Sequence, residues 1–257
     1  MLRKSLLVFL ILFIIPGCSK NITSSSENKG VLKINLTDAP GNYEAVNITF
    51  SEVSVKFEND WKIINNQTQT FNLLTLTNGK TALLGESELE PGKYNQIRLK
   101  ISAAEVVYKG QTFTLTVPSG AHSGLKFGPS FNIEPGITYK LIVDFDANKS
   151  IVPQGQRNNY KGFILKPFIR VIPEAETGAI SGTVANGENS PIAYAIAGTD
   201  TVTSTVVDTT TGNFVLGYLP EGLYTVNITD TEGKSYTESG VTVTAGKTTS
   251  IGEITLK

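Results

Sequence analysis

The chain has 257 residues, with 22 Lys and Arg against 23 Asp and Glu, for a net charge of -1. That balance provides no basic excess to hold a nucleic-acid backbone and no acidic block of the kind that forms a disordered tail. One His, one Cys and one Trp leave no material for a disulfide framework, the usual His and Cys metal sites, or Ser-His-acid and Cys-His catalysis.

Arg3 and Lys4 form a short positive start, followed by Ser5 and ten unbroken apolar residues at 6–15. Ten apolar residues reach only about half way across a bilayer, so the run predicts a removed leader and not a retained span. It ends in Ile15-Pro16-Gly17-Cys18-Ser19. This ending resembles the lipobox of bacterial lipoproteins, departing from the commoner pattern at Ile15 and Pro16. The resemblance implies a lipoprotein signal peptide at 1–17, cut before Cys18, whose thiol takes a diacylglyceryl group and whose new amino group is acylated. Several acyl chains on one residue anchor far more firmly than one. The implied partner of Cys18 is therefore a lipid bilayer, in a bacterial cell envelope. Ser19, where Asp would favour inner-membrane retention, implies the outer membrane and leaves the periplasmic or extracellular face open. Residues 19–29 hold four Ser and one apolar side chain, Ile22. They cannot offset the entropy of ordering by burial, so 18–29 reads as a lipidated flexible tether.

The next 145 or so residues alternate with period two, the mark of half-buried strands. Leu32, Ile34 and Leu36 alternate with Lys33, Asn35 and Thr37. Val46, Ile48 and Phe50 give way to Val53, Val55 and Phe57, a slip of phase that predicts a β-bulge or tight bend near Ser51 and Glu52. Residues 71–84 break the pattern, and their Leu-rich run around Asn78-Gly79-Lys80 predicts two apolar turns or a one-turn helix. Ile97, Leu99 and Ile101 alternate with Arg98, Lys100 and Ser102, and the Lys109-Gly110-Gln111 turn predicts a hairpin over 106–117. Leu141, Val143 and Phe145 alternate with Ile142 and Asp144, which would leave Asp144 on a water-facing side. A last long strand is expected at 163–172, with Pro167 at an edge or a bulge. No helical stretch long enough for a parallel α/β crossover separates these runs, so 30–174 predicts two antiparallel sheets packed face to face.

Leu36-Thr37-Asp38-Ala39-Pro40, Tyr43 and the 46–53 run resemble the opening of domain-of-unknown-function family 4382. Phe71-Asn72-Leu73-Leu74, the 91–99 segment, Asp144-Phe145-Asp146 and Leu165-Lys166-Pro167-Phe168 resemble later pieces of that family. The resemblance implies an exported, often lipid-anchored bacterial protein and carries no catalytic residues.

Composition changes near residue 177. The last 81 residues hold 18 Thr, and 3 Lys stand against 8 acidic residues. Residues 172–178 interrupt two strand-like runs with Pro, Glu and Gly, marking a short linker. Short strands separated by Gly187, Gly212, Gly222, Gly233 and Gly246 predict a second sandwich at 178–257. Gly182-Thr183-Val184, residues 191–195, Thr211-Gly212-Asn213-Phe214 and the 219–226 phrase resemble the carboxypeptidase regulatory-like, prealbumin-like sandwich. That likeness implies an accessory module without chemistry of its own, in a group whose relatives include sugar-binding modules. The phrases ending in Tyr94 and Tyr224 look alike, each placing a Gly two residues before the Tyr that opens a strand. The fold class expected overall is all-β, with two antiparallel sandwiches in tandem.

Few residues suggest a site. Asp144, Asp146 and Asn148 have the spacing that begins a calcium loop, but Lys149 and Gly155 stand where the turn Gly and the bidentate Glu belong. No metal is expected there. Asp38 reads as a turn-former whose side chain accepts backbone N–H bonds. His122 lies in a polar loop with no nucleophile pattern around it. Glu86, Glu88 and Glu90 alternate toward a turn and make a poor carboxylate pair for glycoside hydrolysis. Trp61 and Tyr160 are the aromatic candidates for stacking on a sugar ring, against an ordinary packing role shared with Tyr194, Tyr218 and Tyr224. No catalytic residue and no cofactor are expected. The favoured function is a non-enzymatic cell-envelope lipoprotein, a surface binding or structural module of unknown ligand, for which an envelope protein or polysaccharide is the candidate partner. A carbohydrate-binding surface lipoprotein and, last, a hydrolase with a carboxylate site are the alternatives.

Overall fold

A computed structural model describes residues 28–118, 123–156 and 159–257, with the backbone alone at Asn159. Cys18, the leader, most of the tether and His122 lie outside the described residues. The first sandwich opens with β1 (Gly30–Thr37), whose alternate Leu32, Ile34 and Leu36 are fully buried. In β2 (Ala45–Phe57) the buried set moves from Val46, Ile48 and Phe50 to Val53 and Val55. The slip falls where the pairing skips Ser51, so the expected bulge is present and the strand continues through it. Next come β3 (Asp60–Asn65) and β4 (Gln69–Asn72), and then a single 3-10 turn, Leu73–Thr75, capped by the Asn72 side chain. That turn is the break expected within 71–84.

After it come β5 (Ala82–Leu89), the long β6 (Gly92–Tyr108) and β7 (Gln111–Thr116). Lys109 and Gly110 both have positive φ, 52° and 72°, as the two-residue turn of the expected β6–β7 hairpin requires. Two short strands, β8 (Leu125–Phe127) and β9 (Phe131–Ile133), pair along β6. β10 (Thr138–Phe145) leads into α1 (Ala147–Ser150), β11 (Ile151–Gln156), β12 (Asn159–Leu165) and β13 (Ile169–Pro173). One sheet runs β13-β10-β1-β5, and the other runs β11-β12-β7-β6-β2-β3 with β4, β8 and β9 attached. The single strand expected at 163–172 is two strands in different sheets. Pro167, which has no N–H to give a ladder, sits in the crossing between them.

The chain passes into the second sandwich through one 3-10 turn, Glu174–Glu176. Its strands are β14 (Thr177–Val184), β15 (Ile192–Ala197), β16 (Asp200–Val206), β17 (Asn213–Pro220), β18 (Gly222–Thr229), β19 (Ser235–Val243) and β20 (Thr248–Ile254). They form sheets β17-β14-β20 and β16-β15-β18-β19. The architecture is thus two β-sandwiches in tandem, antiparallel apart from the pairs β1–β10, β7–β12 and β14–β20. Each sandwich buries its own apolar cluster, one drawn from residues 32–165 and the other from 180–256.

The like-sounding phrases fold alike. The Tyr94 hydroxyl donates to Glu90 O at 2.9 Å, and the Tyr224 hydroxyl to Pro220 O at 2.8 Å. Gly92 and Gly222 take φ values of 143° and 156°, open to Gly and strained for other residues. Each Tyr buries its ring and satisfies its hydroxyl on the turn it has just left. Burial, followed by the Glu90 charge, pushes the Tyr94 phenol up to about 12.

Candidate functional site

The polar groups that converge lie where the two sandwiches meet. An Asn78-Gly79 turn projects from the first sandwich with positive φ at both residues, 61° and 75°, and is closed by a hydrogen bond from Lys80 N–H to Thr77 O. Its tip is pinned to the second sandwich from three sides. Asn78 N–H donates to Thr205 Oγ1 at 2.9 Å, Asn78 Oδ1 accepts from Val215 N–H, and the Tyr218 hydroxyl donates to Gly79 O at 3.2 Å. A Cβ on Gly217 would stand 3.4 Å from Gly79 Cα, so the two backbones pass in van der Waals reach of each other. Lys149 Nζ adds a contact to Thr201 O at 3.3 Å while holding Asp146 at 3.0 Å.

Behind this turn the end of β1 is heavily bonded. The Thr37 hydroxyl lies 2.9 Å from both Leu76 O and Lys80 O, and Asp38 N–H donates to Leu76 O. Asp38 is buried, and its Oδ1 accepts the N–H of Ala147 at 2.8 Å. The carboxylate does take a backbone N–H, as expected, but from a helix start 109 residues away and not from its own turn. Asp144 is buried as well, which corrects the water-facing side assigned to it. Directly opposite it on β13 stands Arg170, whose Nη2 and Nε reach Asp144 Oδ2 at 2.7 and 3.2 Å. A charge-assisted fork of this kind offsets part of the desolvation of both groups.

Two oxygens and one nitrogen of this cluster, Asp38 Oδ2, Asp144 Oδ1 and Arg170 Nη1, are buried without a protein partner. Burial drives the Asp38 carboxyl well above the usual range. The Ala147 N–H opposes that shift, and the charges of Asp144 and Asp146 add to it. Burial likewise raises Asp144 against the pull of Arg170. Asp146 has a different task, accepting from Lys149 N–H as the N-cap of α1, and Asn148 is exposed. The 144–146–148 spacing therefore does not converge on one point.

Beside the turn a shallow groove of about 260 Å³ runs along the seam, bounded by Glu174, Gly178, Tyr218 and Lys247. Tyr218 takes φ 56° there, a strained value for a ring-bearing residue, and its phenol is raised by burial and then by Glu174. No acid pair faces across this groove, and among the described residues no group of three or more His, Cys, Asp or Glu stands ready for a metal.

The aromatic candidates are not brought together. Trp61 on β3 has the Arg98 guanidinium carbon 4.2 Å from its ring centroid and Lys126 Nζ at 5.8 Å. Arg98 and Lys100 are in turn held by Glu52 at 2.8 and 2.7 Å. Tyr160 on β12 packs into an aromatic cluster, 5.6 Å from both Tyr108 and Phe163. Three strands, β7, β6 and β2, lie between the strands that carry Trp61 and Tyr160. Glu86, Glu88 and Glu90 are exposed, and Glu86 pairs with Lys33 at 3.4 Å.

A family model described as a domain of unknown function, DUF4382, matches residues 29–167. The chain belongs to that family. The match ends before β13, the edge strand that supplies Arg170 to Asp144. A search of curated proteins finds no match. Among solved structures the chain is similar to the Bacillus anthracis TIE protein at 11% identity and a TM-score of 0.25, over 90% of this chain and 51% of that one. It is similar to a fimbrial protein from Bacteroides ovatus at 12% identity and a TM-score of 0.23, over 89% and 50%. BcpA, the major pilin subunit of Bacillus cereus, aligns at 11% identity and a TM-score of 0.20, over 89% and 70%. The chain thus spans about half the length of the first two.

Proposed function

We propose that this DUF4382 protein is a non-enzymatic lipoprotein of the bacterial cell envelope, held by acylated Cys18 and presenting two joined sandwiches to an envelope partner. The observation that carries this reading is Cys18, the chain's sole Cys, separated from the apolar run at 6–15 by Pro16 and Gly17 alone. Residues 1–17 are then the removed leader and 18–29 the tether. Fully extended, residues 19–29 reach at most about 40 Å, so the first sandwich works close to the bilayer surface. The outer membrane is the favoured site because Ser19 follows Cys18. Residues 30–174 form the DUF4382 sandwich, and 178–257 a carboxypeptidase regulatory-like one.

Glu174 is the acid that borders the seam groove, whereas hydrolysis of a glycoside needs two carboxyls across a cleft. An envelope protein is favoured over a polysaccharide as partner. Trp61 already carries a cation on its ring, and Tyr160 is held in a cluster with three strands between them, so the two rings offer no row for stacking sugars. Metabolic labelling with an alkyne fatty acid tests the anchor. The wild-type chain takes label and sediments with membranes, and Cys18→Ser takes none and is released. Equal labelling and sedimentation of Cys18→Ser would overturn the reading.

A further inference from the structure

Thr37 and Asp144 are register partners on the parallel strands β1 and β10, so Asp38 and Asp144 emerge at the same end of one sheet. Each carboxylate has one oxygen committed, Asp38 Oδ1 to Ala147 N–H and Asp144 Oδ2 to Arg170. The other oxygen of each is buried and has no protein partner. Both side chains are more than nine-tenths buried, with relative exposures of 4% and 5%. They line one polar cavity of about 10 Å³, closed by the Asn78-Gly79 turn and by Thr203 and Ser204 of the second sandwich. A volume of that order holds a single water-sized particle.

Free carboxylate oxygens withdrawn from water are strongly unfavourable unless a donor or a cation faces them. Asp144 is paired with Arg170 and Asp146 with Lys149, while Asp38 has no ion-pair partner among the described residues. We propose that this cavity is a calcium site between the two sandwiches, with Asp38 Oδ2 and Asp144 Oδ1 as its carboxylate ligands. Calcium accepts oxygen ligands in irregular arrangements, whereas magnesium demands near-octahedral geometry and keeps several waters. A cavity of single-particle size has no room for that water shell. No third carboxylate joins the set, in keeping with the lack of any larger acidic group among the described residues. Thr37, Thr203 and Ser204, each with a hydroxyl and a carbonyl oxygen, line the same cavity and are the source of its neutral ligands. The ligands differ from the 144–146–148 spacing, because Asp146 caps α1 and Asn148 faces solvent.

The test uses the full chain in detergent, stripped with chelator and titrated with calcium chloride at fixed ionic strength. Calorimetry should give about one calcium per chain. The melting midpoint should rise by about 5–10 °C at a hundredfold excess over Kd. Asp38→Asn keeps an oxygen for Ala147 N–H and replaces the free one with an amide, so it should remove the response. Asp146→Asn should retain it. A second readout needs no variant: terbium in the site should be sensitised by Tyr218, which lines the cavity, and displaced by calcium. Absence of heat, midpoint shift and terbium emission would overturn the site and leave the cavity to a water or a proton shared by the acids. A response that survives Asp38→Asn, or one that magnesium reproduces in full, would overturn it equally.

Discussion

Asn78→Ala separates the contributions that hold the two sandwiches together. Asn78 Oδ1 accepts the N–H of Val215, a half-buried donor on β17, and the residue sits at φ 61°. Removing the side chain loses one hydrogen bond and strands its donor, about 1–2 kcal/mol in a half-buried setting. Placing Ala in the left-handed region, where Asn is better tolerated, adds about 1 kcal/mol. The sum is about 2–3 kcal/mol. For a chain of this length that corresponds to a fall of about 4–12 °C in the melting midpoint. Asn78→Gly keeps the backbone conformation and loses only the side-chain bond, so it should fall by roughly half as much. Differential scanning calorimetry of the three proteins reads both values. If Asn78→Ala melts within about 1 °C of the wild type, the turn does not clasp the second sandwich. If Asn78→Gly falls as far as Asn78→Ala, the left-handed backbone at residue 78 costs Ala nothing.

Tyr94→Phe and Tyr224→Phe each remove a hydroxyl bond from the start of a strand while keeping the buried ring. Each should lower stability by about 1 kcal/mol in urea unfolding, and an unchanged midpoint in either would mean that its turn does not depend on the bond. Residues 178–257 should fold alone, because the apolar cluster of the second sandwich is drawn wholly from within them. A well-dispersed amide spectrum is expected of that piece, and a collapsed one would show that the sandwich needs its neighbour.

Much of this fold is local enough to be read along the chain. The phase slip at Ser51, the Lys109-Gly110 hairpin and the paired Gly-x-Tyr turns each depend on residues within a few positions of one another. What escaped such a reading is long-range. Asp144 looks solvated by alternation, yet β13 brings Arg170 across from it, 26 residues later. Pro167 marks an edge or a bulge by its missing N–H, but only the pairing of β13 with β10 shows that the chain changes sheet there. The parallel pairing of β1 with β10 sets Asp38 beside Asp144, and no periodicity records it. Asn78-Gly79 reads as a turn from its residue types alone. Its role as a clasp depends on β16 and β17, more than 120 positions away.

Mass spectrometry of the amino-terminal peptide of the membrane-extracted protein tests the anchored-module account most directly. The account predicts that the peptide begins at Cys18 and carries a diacylglyceryl thioether and an amide-linked acyl chain. An unmodified Cys18 within a peptide that still includes the apolar run, or an amino terminus beyond Cys18, would contradict it.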